Sequence, residues 1–162
     1  MANTLNNSLD EQDLARYLLR IGDTCLILGH RMSELMGHAP VLEEDLSIAN
    51  IALEQVDQAR AWLTLASELE NNKRSEDALA YLRDEHEFFN LTLAEQPNGH
   101  FGDTVARQLL VSAWQREWYG LASQSSNERI QALAQRFLPQ AEFHWRWARD
   151  WLQRLGDGTP LS

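Results

Sequence analysis

A carboxylate and an imidazole three residues apart on one helix can reach the same metal ion, because positions i and i+3 lie on one face. A di-iron centre inside a helical bundle extends that rule. It takes one Glu from each of two helices and a Glu-x-x-His pair from each of two others. Glu54 and Asp57 have the spacing, with a carboxylate where the imidazole would stand. His144 has Ala141 at i−3 and Gln140 at i−4, and Glu142, two residues away, points to a different face. Asp23 and Glu34 fall beside the apolar seam of the first helical segment, and Glu117 stands near the end of the inward face of the fourth. No complete Glu-x-x-His occurs in the chain. The candidate donors are therefore Glu54, Asp57 and His144, expected as the remnant of a metal site, with no catalytic or cofactor-binding residue and no working metal ligand assigned. Two plainer readings stay open beside it: Glu54 and Asp57 on a solvated or Arg60-paired helix face, and His144 as a hydrogen-bonded core imidazole. A single divalent ion on these residues is a third.

Other clusters carry less. Arg83-Asp84-Glu85-His86-Glu87 is rich in donors, but its charges alternate without an apolar partner, as expected of a solvent-facing helix start. Cys25 sits in an apolar stripe and is expected as a small packed side chain. There is no Gly-rich phosphate loop, His-Glu-x-x-His, Cys-x-x-Cys or Asp-rich calcium loop. Nothing resembling a nucleophile elbow points to a Ser-His-Asp triad. Six tryptophans are many for 162 residues; Trp114, Trp118, Trp145, Trp147 and Trp151 fit either anchors of a protein interface or packing between helices.

The elements that position these residues are helices. Leu14, Leu18, Ile21, Cys25, Leu28, Met32 and Leu35 form one seam, begun by a capping box at Ser8-Leu9-Asp10-Glu11 after a polar tail and stopped by Gly37 and Pro40. A second helix is predicted from about Glu43 to Glu70 with Leu46, Ala49, Leu53, Val56, Leu63 and Ala66 inward. It packs antiparallel on the first across a short loop. A third helical region, kinked or split, runs from Ser75 through Tyr81, Leu82, Phe88, Phe89 and Leu93 to a turn at Gln96-Pro97-Asn98-Gly99. Asp103 then caps a fourth helix with Ala106, Leu109, Leu110, Ala113 and Trp114 inward. The last helix carries Ile130, Ala134, Phe137, Ala141, His144, Ala148, Trp151 and Leu155 on one seam, with Pro139 inside it and Gly156-Asp157-Gly158 and Pro160 at its end. No strand pattern appears. One all-α antiparallel bundle domain over 1–162 is the expected architecture.

Composition narrows the function classes. With 24 acidic against 14 basic residues the net charge is −10, which disfavours nucleic acid and anionic membranes. No apolar run approaches the ~20 residues of a membrane span, and the start lacks a secretory pattern, so a cytoplasmic protein is expected. The one adjacent basic pair, Lys73-Arg74, falls in a loop and makes no cluster for a polyanionic thioester.

Three stretches carry a resemblance: Leu19-Arg20-Ile21-Gly22-Asp23-Thr24-Cys25-Leu26, the run from Glu95-Gln96-Pro97-Asn98-Gly99-His100-Phe101-Gly102-Asp103-Thr104 to Gln108, and Trp151-Leu152-Gln153-Arg154-Leu155-Gly156-Asp157-Gly158-Thr159. Through them the chain resembles, from about Arg16 to Thr159, the C subunits of the bacterial phenylacetyl-CoA epoxidase, the ring-oxidising monooxygenase of phenylacetate degradation. The resemblance implies a ferritin-like bundle that has lost its iron ligands and serves as a structural subunit. Its partner is a catalytic A subunit that binds phenylacetyl-CoA and the di-iron centre. A small B subunit bridges, and a flavin and iron-sulfur reductase supplies electrons, so that one oxygen atom enters the aromatic ring as an epoxide. This chain itself is expected to hold no cofactor. Members of the family usually continue for several helices beyond the Gly-Asp-Gly-Thr turn, whereas this sequence stops at Ser162, as in a fragment or a shortened homologue.

Two further readings stand beside that one. The chain could be a divergent di-iron or mono-iron oxygenase in its own right, which the missing Glu-x-x-His pairs oppose. It could also be a free-standing homo-oligomeric bundle that binds a small molecule, which exposed aromatic faces would suit.

Overall fold

The computed structural model of the protein describes the backbone of residues 2–158 and the side chains of residues 11–158. Six α-helices and one short 3-10 turn carry the fold, with no strand among the described residues. They are α1 (Ala2–Leu35), α2 (Leu42–Leu69), α3 (Glu76–Tyr81), the turn Glu85–Glu87, α4 (Thr92–Glu95), α5 (Phe101–Ala122) and α6 (Glu128–Gly156). Helix α1 begins at Ala2 and not at Ser8, since neither Gly nor Pro interrupts the residues ahead of Ser8. The side chains of Ser8, Leu9 and Asp10, and Pro160 at the other end, lie outside the described residues. Chain contacts gather the residues into two compact units, one of 1–33 with 46–95 and the other of 34–45 with 96–162.

In the first unit α1 and α2 run antiparallel, held by close approach. A Cβ on Gly22 would stand 2.8 Å from Leu63 Cδ2, and one on Gly29 would stand 3.0 Å from Val56 Cγ2. The expected α1 seam is buried, from Leu18 through Ile21, Cys25 and Leu28 to Met32. On α2 the inward face matches the expected one at Leu63 and Ala66 and differs from it toward the N-terminus. Ile48, Ile51, Gln55, Gln58, Ala59, Trp62 and Ala66 are buried, whereas Leu46 and Leu53 are 59% and 69% exposed. Two glutamines interrupt the true apolar stripe, and that displaced the reading toward the leucines. The region after α2 splits as anticipated. Ser75 caps α3 by accepting from Ala78 N at 3.2 Å, and the chain then passes in short turns and extended pieces to α4. Before it, Arg74 is held by Glu70 at 2.7 Å, and this hydrogen bond raises the guanidinium pKa above its ordinary value.

In the second unit α5 packs along α6. Tyr119 lies against Phe137 (6.1 Å between centroids) and Phe101 against Trp151 (5.0 Å), an antiparallel register. The link from α1 to α2 belongs here. Gly37 takes the left-handed conformation (φ +84°) that ends α1, and Asp45 Oδ1 accepts from Gly37 N at 3.1 Å and Ala39 N at 3.0 Å. Helix α5 is capped from His100, three residues before Asp103. Asp103 occupies the third helical position and accepts from His100 N at 2.8 Å. Its buried face also differs from expectation: Thr104, Val105, Gln108, Val111, Ser112, Gln115 and Tyr119 point inward while Leu110 is exposed and Trp114 half-buried. Polar residues at the buried positions hid that face from a reading based on apolar spacing. Helix α6 buries its expected seam from Ala134 to Ala148, with Leu155 exposed near its end, and continues without a break through Pro139.

Candidate functional site

The donors singled out in the sequence fall into different units. Glu54 and Asp57 are half-buried on α2 in the first, and His144 is fully buried on α6 in the second, with its ring 6.1 Å from Phe143. Glu117 points outward and pairs with Arg116 at 2.8 Å. Among the described residues no three His, Cys, Asp or Glu side chains form a group that could hold a metal ion.

The i, i+3 pair that α2 turns inward is Gln55 and Gln58, one residue along from Glu54 and Asp57, and both glutamines are completely buried. Cys25 on α1 is buried too, its Sγ 3.8 Å from Gln58 Oε1. In the second unit α6 buries Ala141 and His144 at the same i, i+3 spacing. Helix α5 buries Gln108, whose backbone carbonyl accepts from the Ser112 hydroxyl and whose side-chain Nε2 and Oε1 have no hydrogen-bond partner among the described residues. Within each helix, then, the buried i, i+3 positions of α2 carry two amides and those of α6 a methyl group and one imidazole, and neither is a Glu-x-x-His pair. Hard, charged iron pairs are held by carboxylates, and the one buried carboxylate among the described residues, Asp23, is engaged by Arg83. The Gln55-x-x-Gln58 spacing was visible in the sequence. The phase of α2 needed to select it could have been taken from Ile48, Ile51 and Trp62.

One buried charge was missed altogether. Asp23, read as lying beside the seam, is fully buried on α1. Arg83, read as solvent-facing, is only 8% exposed. The two form a bidentate pair, with Arg83 Nη1 donating to Asp23 Oδ2 at 3.1 Å and Nη2 donating to Oδ1. Phe89 N donates to Asp23 Oδ2 at 2.9 Å, Arg83 Nη1 donates to the Glu87 carbonyl at 3.0 Å, and the guanidinium lies 4.1 Å from the Phe88 ring centre. Next to it Thr24 accepts from Leu91 N at 3.1 Å. Gly22-Asp23-Thr24 thus fastens α1 both to α2 and to the irregular 82–95 segment. The second motif works similarly: Asn98 Oδ1 accepts from Arg107 Nη2 at 2.6 Å and from the Thr104 hydroxyl at 3.3 Å. The signal for the ion pair was an Asp inside an apolar stripe, because a buried carboxylate requires a cation.

The tryptophans are arranged, not scattered. Trp62 is core. Glu44 Oε2 accepts from both Trp147 Nε1 (2.8 Å) and Trp151 Nε1 (2.7 Å), while Phe101 meets both indoles edge-on. A cleft of about 330 Å³ borders this cluster, lined by Phe143, Arg146 and Arg154 among others. Trp145 lies between Arg116 and Arg149, 4.4 and 4.9 Å from its ring centre.

Helices without strands among the described residues, packed within each unit as an antiparallel pair, make an all-α protein, and its family is ferritin-like. Comparison with known proteins gives the family: a family model described as "Phenylacetic acid catabolic protein" matches residues 1–162, and the chain belongs to that family. It is 46% identical over 149 residues to the C subunit of 1,2-phenylacetyl-CoA epoxidase from Escherichia coli (strain K12), covering 92% of this chain and 60% of that relative. The chain therefore spans a little under two thirds of that relative's length. No helix among the described residues is long and apolar enough to cross a membrane.

Proposed function

We propose that this chain is a non-catalytic structural subunit of a multicomponent phenylacetyl-CoA epoxidase in aerobic phenylacetate degradation, and that it stabilises a catalytic di-iron A subunit. The observation that carries the reading is the occupancy of the inward positions. The buried i, i+3 pairs of α2 and α6 are Gln55 with Gln58 and Ala141 with His144, where a Glu-x-x-His pair would supply anionic oxygen and imidazole, and this supports assigning oxygen activation to another chain. The similarity to an epoxidase C subunit supports membership of such an assembly. Iron, phenylacetyl-CoA binding and the reacting atoms are assigned to the A subunit; a B subunit and a reductase complete the system, and the cytoplasm is its compartment.

The test is co-expression with the A subunit of the same organism, followed by size-exclusion chromatography and iron analysis of each peak. Co-elution with iron that tracks the A subunit alone is the expected result. Stoichiometric iron in this chain purified by itself would overturn the reading in favour of an oxygenase. A stable homo-oligomer indifferent to the A subunit would overturn it in favour of an independent bundle.

A further inference from the structure

Helix α2 has a second apolar stripe, facing away from its buried side. Leu46, Ala49 and Leu53 recur at 3-4 spacing, with Leu46 and Leu53 more than half exposed; Val56, 36% exposed, stands at the edge of the stripe, where its Cγ2 also borders Gly29 of α1. A stripe of that width and period is the seam of a helix-helix contact, not of a core-facing helix, which needs a broader apolar face. It continues into a groove of about 90 Å³ beside α3, lined by Val56, Leu63, Ala80 and Tyr81, with Tyr81 66% exposed. Its borders are acidic. Helix α2 carries six carboxylates and a single arginine, Arg60, which lies 3.8 Å from Glu76. Glu54 and Asp57 flank the stripe on α2, and Glu76 and Asp77 border the groove from α3.

We infer that this stripe is the docking seam for a helix of a partner protein, one that presents a matching apolar heptad flanked by Lys or Arg. Charge selects the occupant. Two copies of the stripe face to face would bring the carboxylates of one against those of the other, and like charges at an interface exclude a pairing that apolar contact alone would allow. A basic-flanked helix gains both terms. The inference rests on the proposed function for the identity of the partner, the catalytic subunit, and adds the face that receives it.

The experiment places the photo-crosslinking residue benzoylphenylalanine at Leu53, and in a control at the exposed Leu110 of α5, in the full chain co-expressed with the catalytic subunit. The expected product joins position 53 to a catalytic-subunit helix whose flanking positions are Lys or Arg. A folded Glu54→Lys/Asp57→Lys variant should lower the yield about tenfold. Copurification of the catalytic subunit with no product from 53, or with equal product from 110, overturns the docking face and leaves the proposed function standing. A product with a second copy or within the chain itself overturns the charge argument. Failure of the two chains to copurify removes the proposed function, and this inference with it.

Discussion

Asp23 and Arg83 are the residues whose loss should be felt most. Their side chains are 0% and 2% exposed, and water cannot replace either partner when the other is removed. Asp23→Ala leaves a buried guanidinium uncompensated and Phe89 N without its acceptor, and should cost about 3–5 kcal/mol in urea unfolding. Asp23→Leu/Arg83→Met removes both charges. It should cost less than the single change because no unpaired charge stays buried, although the Phe89 amide and the Glu87 and Leu79 carbonyls lose a partner. A double variant weaker than Asp23→Ala would refute the ion-pair account. Gln108 lies at the opposite extreme. Both of its side-chain polar atoms are buried without partners among the described residues, so Gln108→Leu keeps the volume and removes a desolvation cost. It should leave the unfolding midpoint unchanged or raise it, and a loss above about 1 kcal/mol would show that the amide is engaged.

At the scale of elements the determinants are close approach and end-fixing. Gly22 lets α1 lie against Leu63, so Gly22→Ala forces a core leucine and the helix behind it to move, at about 1–3 kcal/mol. Combining it with Leu63→Ala should cost less than the sum of the two single changes, a coupling that calorimetry on the four proteins would measure and that additivity would contradict. Glu44, in the first turn of α2, holds two indole N–H groups of α6. Glu44→Ala should destabilise by about 2 kcal/mol and red-shift tryptophan emission as Trp147 and Trp151 loosen; unchanged emission would count against the clamp. These pairs also mark how far the sequence could be read. The α1 and α6 seams were legible because each is a continuous apolar series, with only Cys25 and His144 within them. The inward faces of α2 and α5 were not, because Gln55, Gln58, Gln108, Ser112 and Gln115 occupy buried positions while Leu46, Leu53 and Leu110 sit outside. Periodicity reports where apolar residues lie, and on these two helices the apolar residues serve an outer face as well as the core. The Glu54-x-x-Asp57 reading followed from the same one-residue error of phase, and Arg83 was hidden because a long-range ion pair leaves no local pattern.

For the whole molecule the governing quantity is a charge of −10 that is unevenly spread. Residues 96–162 contain seven arginines against six carboxylates, whereas 46–95 contain ten carboxylates against four cations. The docking stripe on α2 lies within the more acidic stretch, so a basic partner helix would be drawn toward it from a distance before any apolar contact forms. Such steering acts on the rate of encounter and is screened by salt, while the desolvated leucine seam acts on the lifetime of the complex. If the seam binds as inferred, the association rate with the catalytic subunit should fall about tenfold between roughly 20 mM and 500 mM salt, with little change in the dissociation rate. Leu53→Ala should do the reverse, shortening the lifetime and leaving the salt slope intact, because truncating a packed side chain raises the off-rate without altering long-range charge. Stopped-flow association and surface dissociation measurements on the same pair separate the two. A salt-insensitive on-rate would place the contact on the nearly neutral 96–162 stretch, with its arginine-flanked Trp145, and not on the acidic helix.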